Sequence, residues 1–189
     1  MKKVIAEKLG EMIIGFQMLE SSVNHAIHGL LTLPLSHSEM ILAEMSFRNK
    51  LNLLSCLSDE ILHQHKDLLD ALKEVIKEIN KIEGERNRLV HSTWFTEFEA
   101  ARGQVIRSKT TAKQNGLKKQ IELVGGEQLE ELITTHEHIQ KQFDDITTQV
   151  SIRLDRRHMS PLMAFYNETS YNDLLAVINN SYPPIPDQN

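Results

Sequence analysis

The fold of this chain is decided by residues 68–92, which read LLDALKEVIKEINKIEGERNRLVHS. Large aliphatic side chains recur in this stretch in steps of three and four, at Leu68, Leu72, Val75, Ile79 and Ile82. That spacing follows the 3.6-residue turn of an α-helix and gives the helix one apolar face. The stretch therefore predicts a long amphipathic helix that packs into a helical bundle and continues toward His91.

Similar apolar stripes on both sides of this stretch predict the other helices of the bundle. The first helix runs from about residue 4 to residue 31 and is ended by Pro34, and the second reaches about Leu57. We expect the helix described above to begin after Ser58-Asp59-Glu60, because serine is a good N-cap and acidic side chains favour the positive end of a helix. A last long helix is predicted from Glu127 to about Leu154.

Residues 93–124 interrupt the helical pattern. Residues 93–98 are aromatic and β-prone, residues 104–107 can pair back on them, and a further strand can form near residues 120–124. We therefore predict an all-α bundle of four or five helices with a small β-hairpin-like insertion before the last long helix. The helical domain would span residues 1–160, and residues 161–189 would form a partly disordered C-terminal extension with a proline-rich end.

Composition excludes several classes of protein. The chain has 189 residues, of which 40% are hydrophobic and 25% charged, which is typical of folded globular proteins. Its net charge of -5 excludes a uniformly basic nucleic-acid-binding protein. No apolar run approaches the roughly 20 residues of a membrane span, and Met1-Lys2-Lys3 is followed too soon by further charges for a signal peptide. With a lone Cys56 that cannot form an internal disulfide, we expect a cytoplasmic protein without membrane contact.

The basic residues are concentrated in the insertion. No Asp or Glu occurs between Ala100 and Ile121, and the segment carries six basic residues: Arg102, Arg107, Lys109, Lys113, Lys118 and Lys119. A basic lobe on an acidic body is a plausible phosphate-binding element. Its lysines can equally serve only to protect an exposed sheet edge from pairing with other chains.

The end of the decisive stretch brings together Arg86, Asn87 and His91 near one end of the predicted helix. At about 100° per residue, Asn87 lies about 40° from His91, whereas Arg86 falls in the apolar stripe. Arg-Asn-x3-His near the end of a long helix in a helical bundle resembles the Arg-x4-6-His motif of the HEPN superfamily, in which the residue after the arginine is often asparagine. The resemblance covers roughly residues 4–155 and implies a HEPN-like bundle.

This resemblance implies a metal-independent endoribonuclease of toxin or antiphage type, whose site forms where two copies of the motif helix meet in a homodimer. It implies that Arg86, Asn87 and His91 are catalytic, that the substrate is RNA, that no cofactor or metal is needed, and that an antitoxin protein is a further partner. The residue types fit this chemistry, since histidine can transfer protons near neutral pH and arginine can bind phosphate oxygens. Charge patterning adds candidate RNA contacts at Arg88, Arg102, Arg107, Lys109 and Lys113.

Glu20 lies within the apolar stripe of the first helix, as Arg86 does in its own helix. Because buried opposite charges are costly unless they meet, we expect a Glu20–Arg86 contact, either as a structural ion pair or as a support that positions the arginine. His136 and His138 lie two residues apart, point in different directions on a helix, and are expected to face solvent.

Two other functions stay open on the sequence. The first is a non-catalytic HEPN-like protein that binds RNA, a nucleotide or a partner. The second is a helical-bundle interaction protein in which the Arg86–His91 motif is accidental.

Overall fold

The computed structural model describes residues 2–100, 104–113 and 116–155. Their helices and strands follow the order α1 (Lys2–Leu31), α2 (Leu35–Ala43), α3 (Phe47–Ile61), α4 (Lys66–Val90), β1 (Thr93–Ala100), β2 (Gln104–Lys113), β3 (Gly116–Gly125) and α5 (Gly126–Arg153). The described chain is therefore mainly helical, as predicted, with one small sheet between α4 and α5. No helix in these ranges combines the length and the apolar character that a membrane span requires.

Two clusters of buried side chains hold the helices and the sheet together. The larger cluster lies among the helices and includes Phe16, Leu51, Leu72 and Phe143. The smaller cluster joins the first turns of α1 and α5 to the end of α4 and to the sheet, through Ile5, Met12, Leu89, Val105, Val124 and Leu129. Because burial of aliphatic side chains is the main stabilising contribution to a fold, the second cluster fixes the sheet against the end of α4.

The insertion forms a three-stranded antiparallel sheet in the order β1-β2-β3, whose third strand includes the possible strand predicted at residues 120–124 and begins earlier, at Gly116. In β2 and β3, Val105 pairs with Val124, Arg107 with Glu122 and Lys109 with Gln120. Successive side chains of a strand point to opposite faces, so these pairs share the face on which Val105 and Val124 are buried against the helices. The predicted C-terminal extension lies outside the described residues.

The predicted start of the motif helix after Ser58-Asp59-Glu60 is wrong. The helix α3 continues to Ile61, and Ser58 is buried within it, where its hydroxyl donates to the Leu54 carbonyl at 2.6 Å. The motif helix α4 begins later, at Lys66, and a separate break divides the predicted second helix at Ser46, whose hydroxyl accepts a hydrogen bond from the Asn49 N–H at 3.3 Å and caps α3. A serine can cap a helix or bond back to the fourth preceding carbonyl inside one, so the sequence Ser-Asp-Glu does not distinguish the two.

The Glu20 carboxylate pairs with Lys50 of α3. The Lys50 Nζ donates to Glu20 Oε1 at 2.7 Å, and the two side chains are only 6% and 21% exposed. The predicted Glu20–Arg86 contact is therefore wrong, and so is the role of Glu20 as a support for Arg86. The apolar pattern of α1 predicted that Glu20 is buried and needs a partner, but it did not show which helix supplies that partner. The partner comes from α3, because α1 packs more extensively against α3 than against α4.

A double-mutant cycle on Glu20 and Lys50 is expected to give a coupling energy of about 1–3 kcal/mol, because either single substitution leaves a charge with little solvent access and no partner. The free energies of unfolding of Glu20→Gln, Lys50→Met and the double variant would be measured in urea. The matched cycle on Glu20 and Arg86 should give less than about 0.5 kcal/mol. Comparable coupling in the two cycles would contradict the pairing described here.

Candidate functional site

The three motif residues occupy the last turn of α4 but do not face the same way. Arg86 is half-buried, donates from Nη1 to Asn87 Oδ1 at 2.8 Å, and lies over the Phe16 ring of α1 at 4.1 Å from the ring centroid. This arrangement is a cation–π contact. His91 is the C-cap residue and is exposed, and no described residue hydrogen-bonds to its imidazole. Arg86 is thus turned toward the interior of the bundle, whereas His91 is open to solvent.

Side chains from the sheet cap the carbonyl groups at the end of α4. Lys109 Nζ donates to the Asn87 carbonyl at 3.2 Å, Arg107 Nη1 to the Arg88 carbonyl at 2.8 Å, and Trp94 Nε1 to the Leu89 carbonyl at 3.1 Å. The last carbonyls of a helix have no partners within it and carry a partial negative charge. The sheet therefore satisfies the end of the motif helix with two cations and an indole.

Arg107 is held in a buried network. Its side chain is fully buried, and it donates to Ser92 Oγ at 2.9 Å and to Glu122 Oε2 at 2.5 Å. The hydrogen bond from Arg107, helped by the nearby Arg88, lowers the pKa of the Glu122 carboxyl against the opposing effect of burial. The guanidinium of Arg107 is enclosed, and both of its terminal nitrogens donate to structural partners, which argues against the predicted RNA contact at this residue.

The other predicted RNA contacts differ in accessibility. Arg88 is paired with Glu85 and Glu122. Lys109 is half-buried beside Asn87, and the same face of the sheet continues into the register pair of Thr111 with the exposed Lys118. Arg102 and the side chain of Lys113 lie outside the described part of the chain. Lys109 therefore lies at the end of α4, and the exposed Lys118 lies further along the same face of the sheet.

His136 is a candidate that the sequence reasoning missed. It was expected to face solvent, yet it is only 4% exposed, and its Nε2 is buried with no hydrogen-bond partner. Burial lowers its pKa below the ordinary 6.5, although the neighbouring Glu137 opposes the shift. The sequence contained a signal for this burial. His136 lies seven residues after Leu129 and seven before Phe143, about two helical turns in each direction, and therefore falls in the apolar stripe of α5.

Lowering the pH is expected to destabilise the protein through His136. Its pKa is lower in the folded chain, so the unfolded chain takes up the proton first, and stability falls as pH decreases from about 6.5 toward the folded value. Unfolding in urea at about pH 7.5 and pH 5.5 would be compared for the wild type and His136→Phe. The variant should lose less stability between the two pH values. An equal loss would show that His136 does not contribute.

No group of three or more His, Cys, Asp or Glu side chains within the described ranges is arranged to hold a metal ion. Comparisons with protein-family models, curated proteins and solved structures found no match to this chain. The function is therefore argued from the residues at the end of α4.

Proposed function

We propose that this chain is a HEPN-like, metal-independent endoribonuclease of toxin or antiphage type that acts as a homodimer. One observation carries the proposal: the His91 imidazole is open to solvent at the C-terminal end of the motif helix, and the Lys109 ammonium donates to the Asn87 carbonyl of the same helix end. An exposed imidazole next to a cationic surface can approach an RNA phosphate and exchange protons with it. Asn87, whose carbonyl accepts the hydrogen bond from Lys109, lies four residues before His91.

The reaction assigned to this site is an internal transfer within RNA. The ribose 2′-hydroxyl gives its proton to a base and its oxygen attacks the adjacent phosphorus, while the bond to the 5′-oxygen breaks and that oxygen takes a proton. The products are a 2′,3′-cyclic phosphate and a 5′-hydroxyl end. His91 serves in proton transfer, and the charge that develops on the phosphate is stabilised by Lys109 and by Arg86.

Arg86 has to change its position to take part. Its guanidinium lies over Phe16 and is bonded to Asn87, whereas a phosphate beside His91 lies on another side of the helix, since five residues correspond to about 140° of rotation. The long arginine side chain can leave the ring by rotation about its own bonds. We assign to Asn87 the role of the group that releases Arg86 to the phosphate.

A second copy of the chain completes the proposed site. The reaction needs one group that accepts a proton and one that donates it, whereas the motif of one chain supplies a single imidazole. A twofold axis beside the end of α4 would bring a second His91 and a second Arg86 to the same phosphate. An antitoxin protein that covers this surface is the partner expected of such a toxin.

The proposal is tested by incubating the full chain with single-stranded RNA in excess chelator. We expect cleavage that leaves cyclic phosphate ends, and no cleavage of DNA or of RNA with a 2′-deoxyribose at the cut position, because the attacking hydroxyl is missing there. Cleavage that requires an added divalent metal, or that proceeds on DNA, would refute the mechanism.

A second function, RNA binding without cleavage, is favoured by one observation. Arg86 and Asn87 are partners of each other, and Arg86 is also packed on Phe16, so both have structural roles in a single chain. In that case the same RNA would bind with strong salt dependence, would remain intact, and would lose affinity on Lys109→Ala and Lys118→Ala.

A further inference from the structure

A small cavity of about 140 Å³ lies between α1, α4 and α5. Its apolar wall is formed by Met12, Phe16, Ile82, Leu132 and Ile139, and the charged side chains of Glu78, Lys81 and Glu85 line it beside Arg86. A cavity of about this size lined by such side chains is sufficient to hold a benzene ring. The apolar part of a ligand in this cavity can therefore be no larger than about one benzene ring.

Arg86 brings a cation to this apolar cavity. Its guanidinium has five N–H donors, makes a hydrogen bond to Asn87 Oδ1, and lies over the Phe16 ring. No described carboxylate lies within ion-pair distance of it, whereas Arg88 and Arg107 on the same end of the bundle both contact Glu122. A half-buried arginine without an acidic partner is suited to an anionic ligand.

His136 adds a second polar group to the same cavity. Its Nε2 is buried and has no hydrogen-bond partner, which is unfavourable unless some group satisfies it. The ring is held closely against α1, because a Cβ at Gly15 would lie 3.3 Å from its Cε1 and Nδ1 atoms. The imidazole thus has little freedom to turn toward another partner.

We propose that this cavity binds a small monocarboxylate with one compact ring. The carboxylate lies between the Arg86 guanidinium and His136 Nε2, and the ring lies among Phe16, Ile82 and Leu132. Arginine and carboxylate form strong, charge-assisted hydrogen bonds in a paired geometry. The ligand thereby gives the cation its missing counter-charge and the imidazole its missing hydrogen bond.

Occupation of the cavity has a consequence for the motif that, unlike the binding itself, rests on the proposed nuclease function. The Arg86 that holds the carboxylate is the same Arg86 that has to leave Phe16 to reach an RNA phosphate. A bound carboxylate therefore keeps the arginine inside the bundle and inhibits cleavage. Binding is measured without RNA, so a chain without nuclease activity would leave the site itself intact.

The site is tested by calorimetric titration of the full chain with sodium benzoate and sodium phenylacetate, and with the neutral analogues benzamide and benzyl alcohol. For ligands of this size we expect a dissociation constant on the order of 1 mM. The neutral analogues should bind at least about tenfold more weakly, because they lack the paired charge. If neither carboxylate gives a saturable signal, or if the neutral analogues bind equally well, the proposal is overturned.

Two variants assign the polar contacts. His136→Phe keeps a ring of similar shape without Nε2, and Arg86→Met keeps the length of the side chain without its charge. Both should weaken carboxylate binding about tenfold or more, with the helical circular dichroism unchanged. The matched control is Lys77→Met, which removes a cation of α4 that is exposed and paired with Glu74. Wild-type affinity in both cavity variants would refute the assignment.

Discussion

His91→Ala is expected to reduce chelator-resistant RNA cleavage by about 10²–10⁴-fold, the range that a positioned proton-transfer group contributes. His91 is the C-cap of α4 and its imidazole is exposed. Its loss should therefore change the free energy of unfolding by no more than about 0.5 kcal/mol. His91→Ala should therefore lose cleavage activity while keeping the stability of the wild type, so a loss of cleavage cannot be ascribed to unfolding.

The control for this prediction is His138→Ala, which removes another exposed helical histidine from α5. Cleavage rates of the two variants and of the wild type would be measured on one RNA, and thermal unfolding would be followed by circular dichroism. The proposal requires that only His91→Ala loses activity. Equal activity in all three proteins would point to a contaminating nuclease and remove the main support for an enzyme, and equal loss in both variants would show that the loss is not specific to His91.

The helical part of the fold could be predicted because apolar periodicity is a local property of the sequence. The long stretches of α1, α4 and α5 were all recognised from residues in steps of three and four. The break between α2 and α3 was missed, because it depends on Ser46 as a cap and Ser58 as an interior serine. These two serines look alike in sequence and differ only in what surrounds them.

The site was predictable only in part, for a related reason. Helical angles correctly placed Arg86 in the apolar face of its helix, where it lies over the Phe16 ring. Which residue meets Glu20, and where Arg107 points, depend on the packing of α3 and on the register of β2 with β3. Neither is encoded in local spacing, so the basic residues of the insertion could be counted but not divided into exposed and buried ones.

Arg107→Ala is expected to lower the free energy of unfolding by about 3 kcal/mol, because each buried acceptor that loses its donor costs about 1–3 kcal/mol. The fully buried guanidinium donates to the Arg88 carbonyl, to Ser92 and to Glu122. All three acceptors lose this donor together, and the end of α4 loses a cation. Equilibrium unfolding in urea would measure the change, with Lys119→Ala, an exposed cation of β3, as the control that should stay within about 0.5 kcal/mol.

The double variant Arg107→Met/Glu122→Leu separates lost charge pairing from lost volume. If the cost of Arg107→Ala comes mainly from Glu122, which then keeps only its contact with Arg88, the double variant should recover part of the stability, because that carboxylate is removed as well. An equally unstable double variant would assign the cost to packing and to the uncapped helix end.

The pH dependence of the same variants gives an independent check on the Arg107–Glu122 pair. The pKa of Glu122 is lower in the folded chain than its ordinary 4.5, with the hydrogen bond from Arg107 as the largest cause. The contribution of this carboxylate to stability is thus present above about pH 4.5 and is lost as pH falls through the folded value. Arg107→Ala should lose less stability than the wild type over that interval, because the largest cause of the lowered pKa has been removed and only Arg88 still lowers it. A parallel loss in the two proteins would contradict the pairing, and with it the conclusion that β2 and β3 hold the end of the motif helix through this network.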